Sequence, residues 1–231
     1  MLDFSRFSHL TFDCYGTLID WEQGILDAVA PVLRRHRVGA TDEHVLRLFA
    51  EHEAKQESQD YRPYRVVLQG VMEGLAKDLG FTLDEADLEA LPASVGRWPA
   101  FADTVESLRR LASRYQLAVL SNIDDVLFTE TSKHLGVAFA DVVTAQQVGT
   151  YKPDPRNFEA LLERLRVPKE SVLHVAQSVY HDHVPAKALG LSTVWVNRPS
   201  RRAGTGVALP AEAAPDLEVP DLATLVRTLG L

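Results

Sequence analysis

One cysteine, Cys14, stands in 231 residues, so no internal disulfide can form and a packed core must supply the stability. That scarcity suits a reducing cytoplasm. The N-terminus also lacks the basic, apolar, small-residue order of a secretory signal, and a cytoplasmic location is expected. No segment is apolar over the ~20 residues that a membrane-spanning helix needs. Positive charge is in deficit: 24 Lys and Arg against 32 Asp and Glu leave a net charge of −8. Nucleic acid and anionic membrane both call for basic patches, so neither is expected as a partner. Internal repeats and low-complexity segments are absent too.

What remains is ordinary for a soluble globular protein, with 46% hydrophobic and 24% charged residues. The length suffices for one good core, or for a core with a modest insert. His9-Leu10-Thr11-Phe12-Asp13-Cys14-Tyr15-Gly16-Thr17-Leu18 reads as a buried strand ending at an aspartate and a glycine turn. A carboxylate at the tip of an apolar strand is costly unless something there stabilises or uses it. From 22 to about 97 no convincing strand follows. Helical spacing marks 22–37 and a helix starting at Thr41-Asp42-Glu43, and 64–79 and 83–91 complete about four helices.

From Phe101 the pattern alternates. Helices at 103–114, 125–135, 155–166 and 184–189 lead to strands at 117–120, 141–144, 171–176 and 193–197. A loop over 200–215, a strand at 217–219 and a helix from Asp221 close the chain. Such alternation implies an α/β fold, a doubly wound parallel sheet covered on both faces. The expected division is a core of residues 1–20 and 98–231 interrupted by a helical cap, 21–97.

In a parallel sheet the carboxyl ends of neighbouring strands meet at one edge, where ligands gather. The polar residues there are Asp13 and Thr17, Ser121 and Asn122, Lys152, and Gln177, Ser178 and Asp182. A carboxylate, a small hydroxyl, a lysine and a second carboxylate make a covalent site: the aspartate attacks, and the others stabilise an anionic centre. Simpler readings exist. Asp182 precedes Val184-Pro185 and would suit a helix cap, as would Asp154 before Pro155.

These motifs resemble the haloacid dehalogenase superfamily. Asp13-Cys14-Tyr15-Gly16-Thr17 is similar to its nucleophile motif, Ser121-Asn122 to its second and Lys152-Pro153 to its third. Gln177-Ser178-Val179-Tyr180-His181-Asp182 is similar to its acidic fourth motif, and the insert takes that family's first cap position. The resemblance implies a Rossmann-like core with Asp13 as nucleophile, Lys152 orienting it, and Asp182 positioning the lysine, a water or a metal. Tyr15, Thr17, Ser121, Asn122 and Ser178 would bind a small anionic substrate. A homodimer is a further implication.

Phosphatases of the superfamily carry a second aspartate two residues after the nucleophile, to protonate the leaving alkoxide. This chain has Tyr15, a phenol with an unperturbed pKa of about 10. Halide needs no proton to leave, so the form resembles the 2-haloacid dehalogenase branch, which requires no cofactor. The alternatives are a Mg²⁺-dependent phosphatase of a small metabolite and a member that binds an anion without turnover. With Gln177 in place of an acid, Mg²⁺ would be left with Asp13, Asp182 and the backbone carbonyl at Tyr15. The dehalogenases carry a cap arginine that binds the substrate carboxylate or the departing halide, for which Arg47, Arg62 and Arg65 are the candidates. Their third-motif tyrosine corresponds to Phe158 and their fourth-motif asparagine to Val179. Cys14 should face away from the site, and His181 and His183 stand too close along a helix to share one metal. Tyr61, Tyr64 and Trp98 suit cap packing more than substrate walls, and Trp21 suits either packing or the cleft mouth.

Overall fold

Strand order places the functional edge of this protein. In the computed structural model, which describes residues 2–198 and 211–231, six strands form one sheet: β1 (His9–Phe12), β2 (Gln116–Ser121), β3 (Asp141–Thr144), β4 (Val172–Ala176), β5 (Ser192–Val196) and β6 (Leu217–Val219). Their order is β3-β2-β1-β4-β5-β6, all parallel. The winding reverses beside β1, so a crevice opens between the carboxyl ends of β1 and β4, where open α/β sheets bind their ligands. Alternation serves both faces of the sheet. Leu10, Phe12, Leu117, Val119, Leu173 and Val175 enter one apolar cluster, while Ala118, Leu120, Val143 and Val172 enter the other.

Helices cover both faces and make up the insert. Residues 21–97 carry α1 (Trp21–His36), α2 (Asp42–Glu57), α3 (Tyr64–Leu79), α4 (Glu85–Leu88) and a 3₁₀ turn, Val95–Arg97. Asp20 and Thr41 cap the first two through the amides of Gln23 and His44. The fourth helix is shorter than the 83–91 expected. Pro92 restricts Leu91 and supplies no N–H, and the chain tightens into turns such as Ala90 N to Asp87 O and Ser94 N to Leu91 O. The two chain crossings of the insert lie side by side, with Asp20 N donating to Pro99 O at 2.8 Å.

After the insert come α5 (Thr104–Ala112), α6 (Asp125–Ser132), α7 (Ala145–Val148), α8 (Pro155–Leu165), α9 (Val184–Ala188) and α10 (Leu222–Thr228). The sixth stops short of 135 because His134 and Leu135 turn back in three-residue steps before Gly136, whose φ is 71°. The short α7, capped by Thr144, has too little periodicity to be seen in the sequence. Of the loop expected over 200–215, residues 200–210 lie outside the described residues, and 211–215 have no regular structure. Among the described residues no helix is long and apolar enough to cross a membrane.

The insert is tied to the sheet by a carboxylate at a helix start. Tyr64 N and Arg65 N, opening α3, donate to Asp124 Oδ1 and Oδ2 at 2.8 and 2.9 Å, where the helix dipole also favours negative charge. Tyr151 OH adds a bond to Arg62 O at 2.6 Å. Packing is closest where the indole of Trp98 lies on the backbone of Gly24. A Cβ there would stand 2.2 Å from Trp98 Cγ. Gly24→Ala should therefore lower the urea midpoint, by about 1–3 kcal/mol of overpacking, despite the better helix propensity of alanine. An unchanged midpoint would show that Trp98 moves freely.

Candidate active site

Asp13 follows the last residue of β1, and its amide donates to Val175 O on β4 at 3.2 Å, which holds the carboxylate at the crevice. The turn beyond it needs glycine. Gly16 has φ 91°, and a Cβ would come within 3.2 Å of both Trp21 Nε1 and Gln177 Oε1. This turn brings Thr17 Oγ1 round to donate to Asp13 Oδ2 at 2.7 Å, while the same oxygen accepts from Gln177 N at 2.9 Å. Cys14 is buried in the apolar cluster. Burial, with Asp13 adding to it, pushes its thiol well up, which leaves an inert group.

Lys152 reaches the same point from the loop before α8. Its Nζ donates to Asp13 Oδ1 at 2.9 Å, Asp182 Oδ1 at 2.7 Å and Leu120 O at 3.1 Å, so all three protons are committed. Asn122 grips the lysine backbone at both ends: Lys152 N donates to its Oδ1 at 2.7 Å, and its Nδ2 donates to Lys152 O at 3.1 Å. Both ends of this amide therefore position the lysine. Ser121 Oγ is buried without a partner in the same cleft. Asp182 does not cap α9. It sits in a π-helical turn, Val179–His183, and turns its carboxylate inward.

Burial opposes charge on every member of this cluster, and the partners decide the outcome. For Lys152 the two carboxylates outweigh burial and hold the ammonium above its ordinary value. For Asp182 burial is outweighed by Lys152 and by a hydrogen bond from His174, which keep it well below the usual carboxylate range. Asp13 shares the lysine with that carboxylate. Burial and repulsion from Asp182 raise it above its ordinary value, with Lys152 and Thr17 pulling the other way.

His174 is a site residue that the motifs did not name. It is fully buried in the middle of β4, with Nε2 3.0 Å from Asp182 Oδ1 and Nδ1 2.9 Å from Thr11 Oγ1. Phe158 packs edge-on against its ring and so lies behind the site. Lys152 and His174 both take Asp182 Oδ1, which leaves Oδ2, buried and unpartnered, at the cleft. Replacing His174 by phenylalanine, apolar and somewhat larger, should cost about 1–3 kcal/mol through the stranded Thr11 and Asp182 groups, and more through overpacking. The loss of activity should fall mainly on kcat. Wild-type kcat in a folded His174→Phe protein would remove His174 from the machinery.

The insert lines the other side of the cleft with Trp21, Glu53, Glu57 and Tyr64. None of the three arginines considered from the sequence is there. Arg47 pairs with Glu51 at 2.6 Å on the surface, Arg65 pairs with Glu89, and Arg62 is exposed. Glutamates stand in their place. Glu53 accepts from Tyr64 OH and is pushed up to about 7 by burial. Glu57 is pushed well above the carboxyl range by burial and by Glu53, against Lys152. Its nearest ionic partner is His181 Nε2 at 3.8 Å, an imidazole lowered to about 4 by burial. Tyr15 lines the cleft, but its hydroxyl lies 2.8 Å from Thr131 Oγ1 and its ring meets Trp98 edge-on. Burial pushes this phenol well above its ordinary value. Gln177 and Ser178 line the cleft as well, whereas Tyr61 and Trp98 do not.

A resident Mg²⁺ fits this donor set poorly. One oxygen each of Asp13 and Asp182 is committed to Lys152, Gln177 offers no charge, and no group of three or more His, Cys, Asp or Glu among the described residues could hold a metal. His181 and His183 diverge: His183 Nε2 lies 3.0 Å from Ala176 O, and His181 Nδ1 lies 3.2 Å from Ser178 Oγ.

Fold and sequence together define a hydrolase. A family model for haloacid dehalogenase-like hydrolases matches residues 7–190, and the chain belongs to that family. The (S)-2-haloacid dehalogenase of Pseudomonas fluorescens is 26% identical over 198 residues, covering 81% of this chain and 83% of that one. The enzyme of the same name from Pseudomonas sp. (strain YL) is 26% identical over 223 residues, covering 94% and 92%. A crystal structure of an L-2-haloacid dehalogenase superposes with a TM-score of 0.81 at 27% identity, covering 97% of this chain and 99% of that one.

Proposed function

We propose that this hydrolase displaces halide from the α-carbon of a small 2-haloacid-like substrate through an ester on Asp13. The observation that carries the reading is the pairing of a strand-tip carboxylate, steadied by Lys152 and Thr17, with a tyrosine whose hydroxyl is turned to Thr131. A carboxylate nucleophile is present, and the acid that an alkoxide leaving group needs is missing two residues on. Relatives named as 2-haloacid dehalogenases over most of the chain support the same chemistry.

In the first step a carboxylate oxygen of Asp13 forms a bond to the α-carbon, and halide leaves with the bonding pair. In the second, water attacks the Asp13 carbonyl carbon, Asp182 Oδ2 takes its proton, and the ester C–O bond to the aspartyl carbon breaks. The departing alkoxide takes that proton from Asp182 and leaves as the alcohol, and the Asp13 carboxyl, rebuilt with the water's oxygen, releases the one net proton. Over the cycle R–X and water give R–OH, halide and a proton. Lys152 offsets the negative charge throughout. The insert works as a cap that excludes water from the first step.

Halide release from 2-haloacids and 2-haloacyl analogues should persist in excess EDTA, and Tyr15→Phe should retain most of it, since no proton is delivered there. Phosphate-ester hydrolysis that requires Mg²⁺ and far outpaces halide release would replace this reading with the phosphatase one.

A further inference from the structure

The cap side of the cleft carries carboxyl groups where an anion would need a cation. Glu53 and Glu57 lie one helical turn apart on α2 and face the same space as Asp13, and their side chains are nearly buried. Lys152 is the one Lys or Arg among the described lining residues, and its protons are spent on Asp13, Asp182 and Leu120 O. A substrate carboxylate would enter with no free cation to meet it and would lose its hydration, a cost of several kcal/mol per uncompensated ion. Two unpartnered atoms in the same cleft call for a ligand: Ser121 Oγ, on a residue 2% exposed, and Asp182 Oδ2, on one 0% exposed.

We propose that Glu53 and Glu57 are specificity-determining residues that admit a small 2-haloamide, with its N–H donors and neutral carbonyl, in preference to a 2-haloacid. The proposal rests on halide displacement by Asp13 and names the substrate for it. An amide keeps the carbonyl that activates the α-carbon, yet carries no charge. A carboxyl group and a primary amide each offer a donor and an acceptor, so the two pair face to face. Burial pushes both glutamates upward, Glu53 to about 7, toward the protonated form that this pairing uses. Tyr64 OH fixes Glu53, which leaves Glu57 as the freer partner, and Ser121 Oγ remains as a donor for the amide oxygen.

The test compares halide release from 2-chloropropionamide and 2-chloropropionate at pH 7 for the wild type, Glu57→Gln and Glu57→Leu. The wild type should favour the amide at least tenfold in kcat/KM. Glutamine keeps a donor and an acceptor and should retain the preference; leucine should lose it, chiefly through KM. Wild-type preference for the acid, or an unaltered preference in a folded Glu57→Leu protein, overturns the proposal. Unreactive propionamide and propionate are also titrated into the wild type and followed by tryptophan fluorescence, since Trp21 lines the cleft. If neither chloro compound loses halide, tighter propionamide binding upholds the recognition wall while the displacement reading fails. Tighter or equal propionate binding, or binding of neither, overturns the wall.

Discussion

Asp13→Asn should lower halide release by roughly 10⁴-fold or more, the scale seen when a covalent nucleophile is removed. The variant should still fold, because its Oδ1 can accept from Lys152 while its Nδ2 donates to Thr17 Oγ1, which gives up only its own bond to the carboxylate. In the wild type, a single turnover in ¹⁸O-water should leave the label in Asp13 and an unlabelled oxygen in the product, because water attacks the aspartyl carbon. Label in the first-turnover product instead would mean direct attack by water, and the ester reading would be lost. The pH profile adds a signed expectation. Asp13 is raised above its ordinary value by burial and by Asp182, so activity should fall on the acid side at a pH above the ~4 of a free carboxyl. An acid limb at or below that value would show that Lys152 and Thr17 outweigh burial and Asp182 at Asp13.

Lys152→Ala should be the most damaging change to stability and to turnover together. Removing the ammonium leaves Asp13 and Asp182 as buried, unpaired carboxylates, and breaking a buried pair by deleting one partner costs about 3–5 kcal/mol. Urea unfolding should show a loss of that size at pH 7. The loss should shrink as pH falls and the two carboxyls take up protons. Without the lysine, Asp13 should hold its proton to higher pH, moving the acid limb upward with whatever activity remains. A variant that unfolds at the wild-type midpoint would mean the lysine is solvated, contrary to its 2% exposure.

Much of the fold was legible because its periods are local. The apolar run closing at Asp13, the helical spacing of 64–79 and the strand–helix alternation after Phe101 each follow from side-chain geometry within a few residues. The strands at 141–144 and 217–219 lie where their sequences imply. Boundaries were less legible where a single residue stops an element, as Pro92 does after α4. His174 carried a readable signal, a polar residue inside the apolar strand Val172-Leu173-His174-Val175-Ala176, the same signal that drew notice to Asp13. Glu53 carried one as well, four residues beyond Phe49 on the apolar face of α2. Both were overshadowed by motifs with a known spacing.

The sequence by itself determined the parallel α/β class, the helical insert and the set of reactive side chains at the strand ends, because these depend on pattern and residue type along the chain. Only the tertiary structure decided who meets whom. Residues separated by 139 and 30 positions, Asp13 and Asp182, converge on one lysine, and His174 claims one oxygen of Asp182 while leaving the other free. The insert, too, turned Glu53 and Glu57 toward Asp13 and left Arg47, Arg62 and Arg65 away from the cleft. Which face of α2 looks into the crevice depends on packing against α1 and α3, and that packing is written in contacts far apart in sequence.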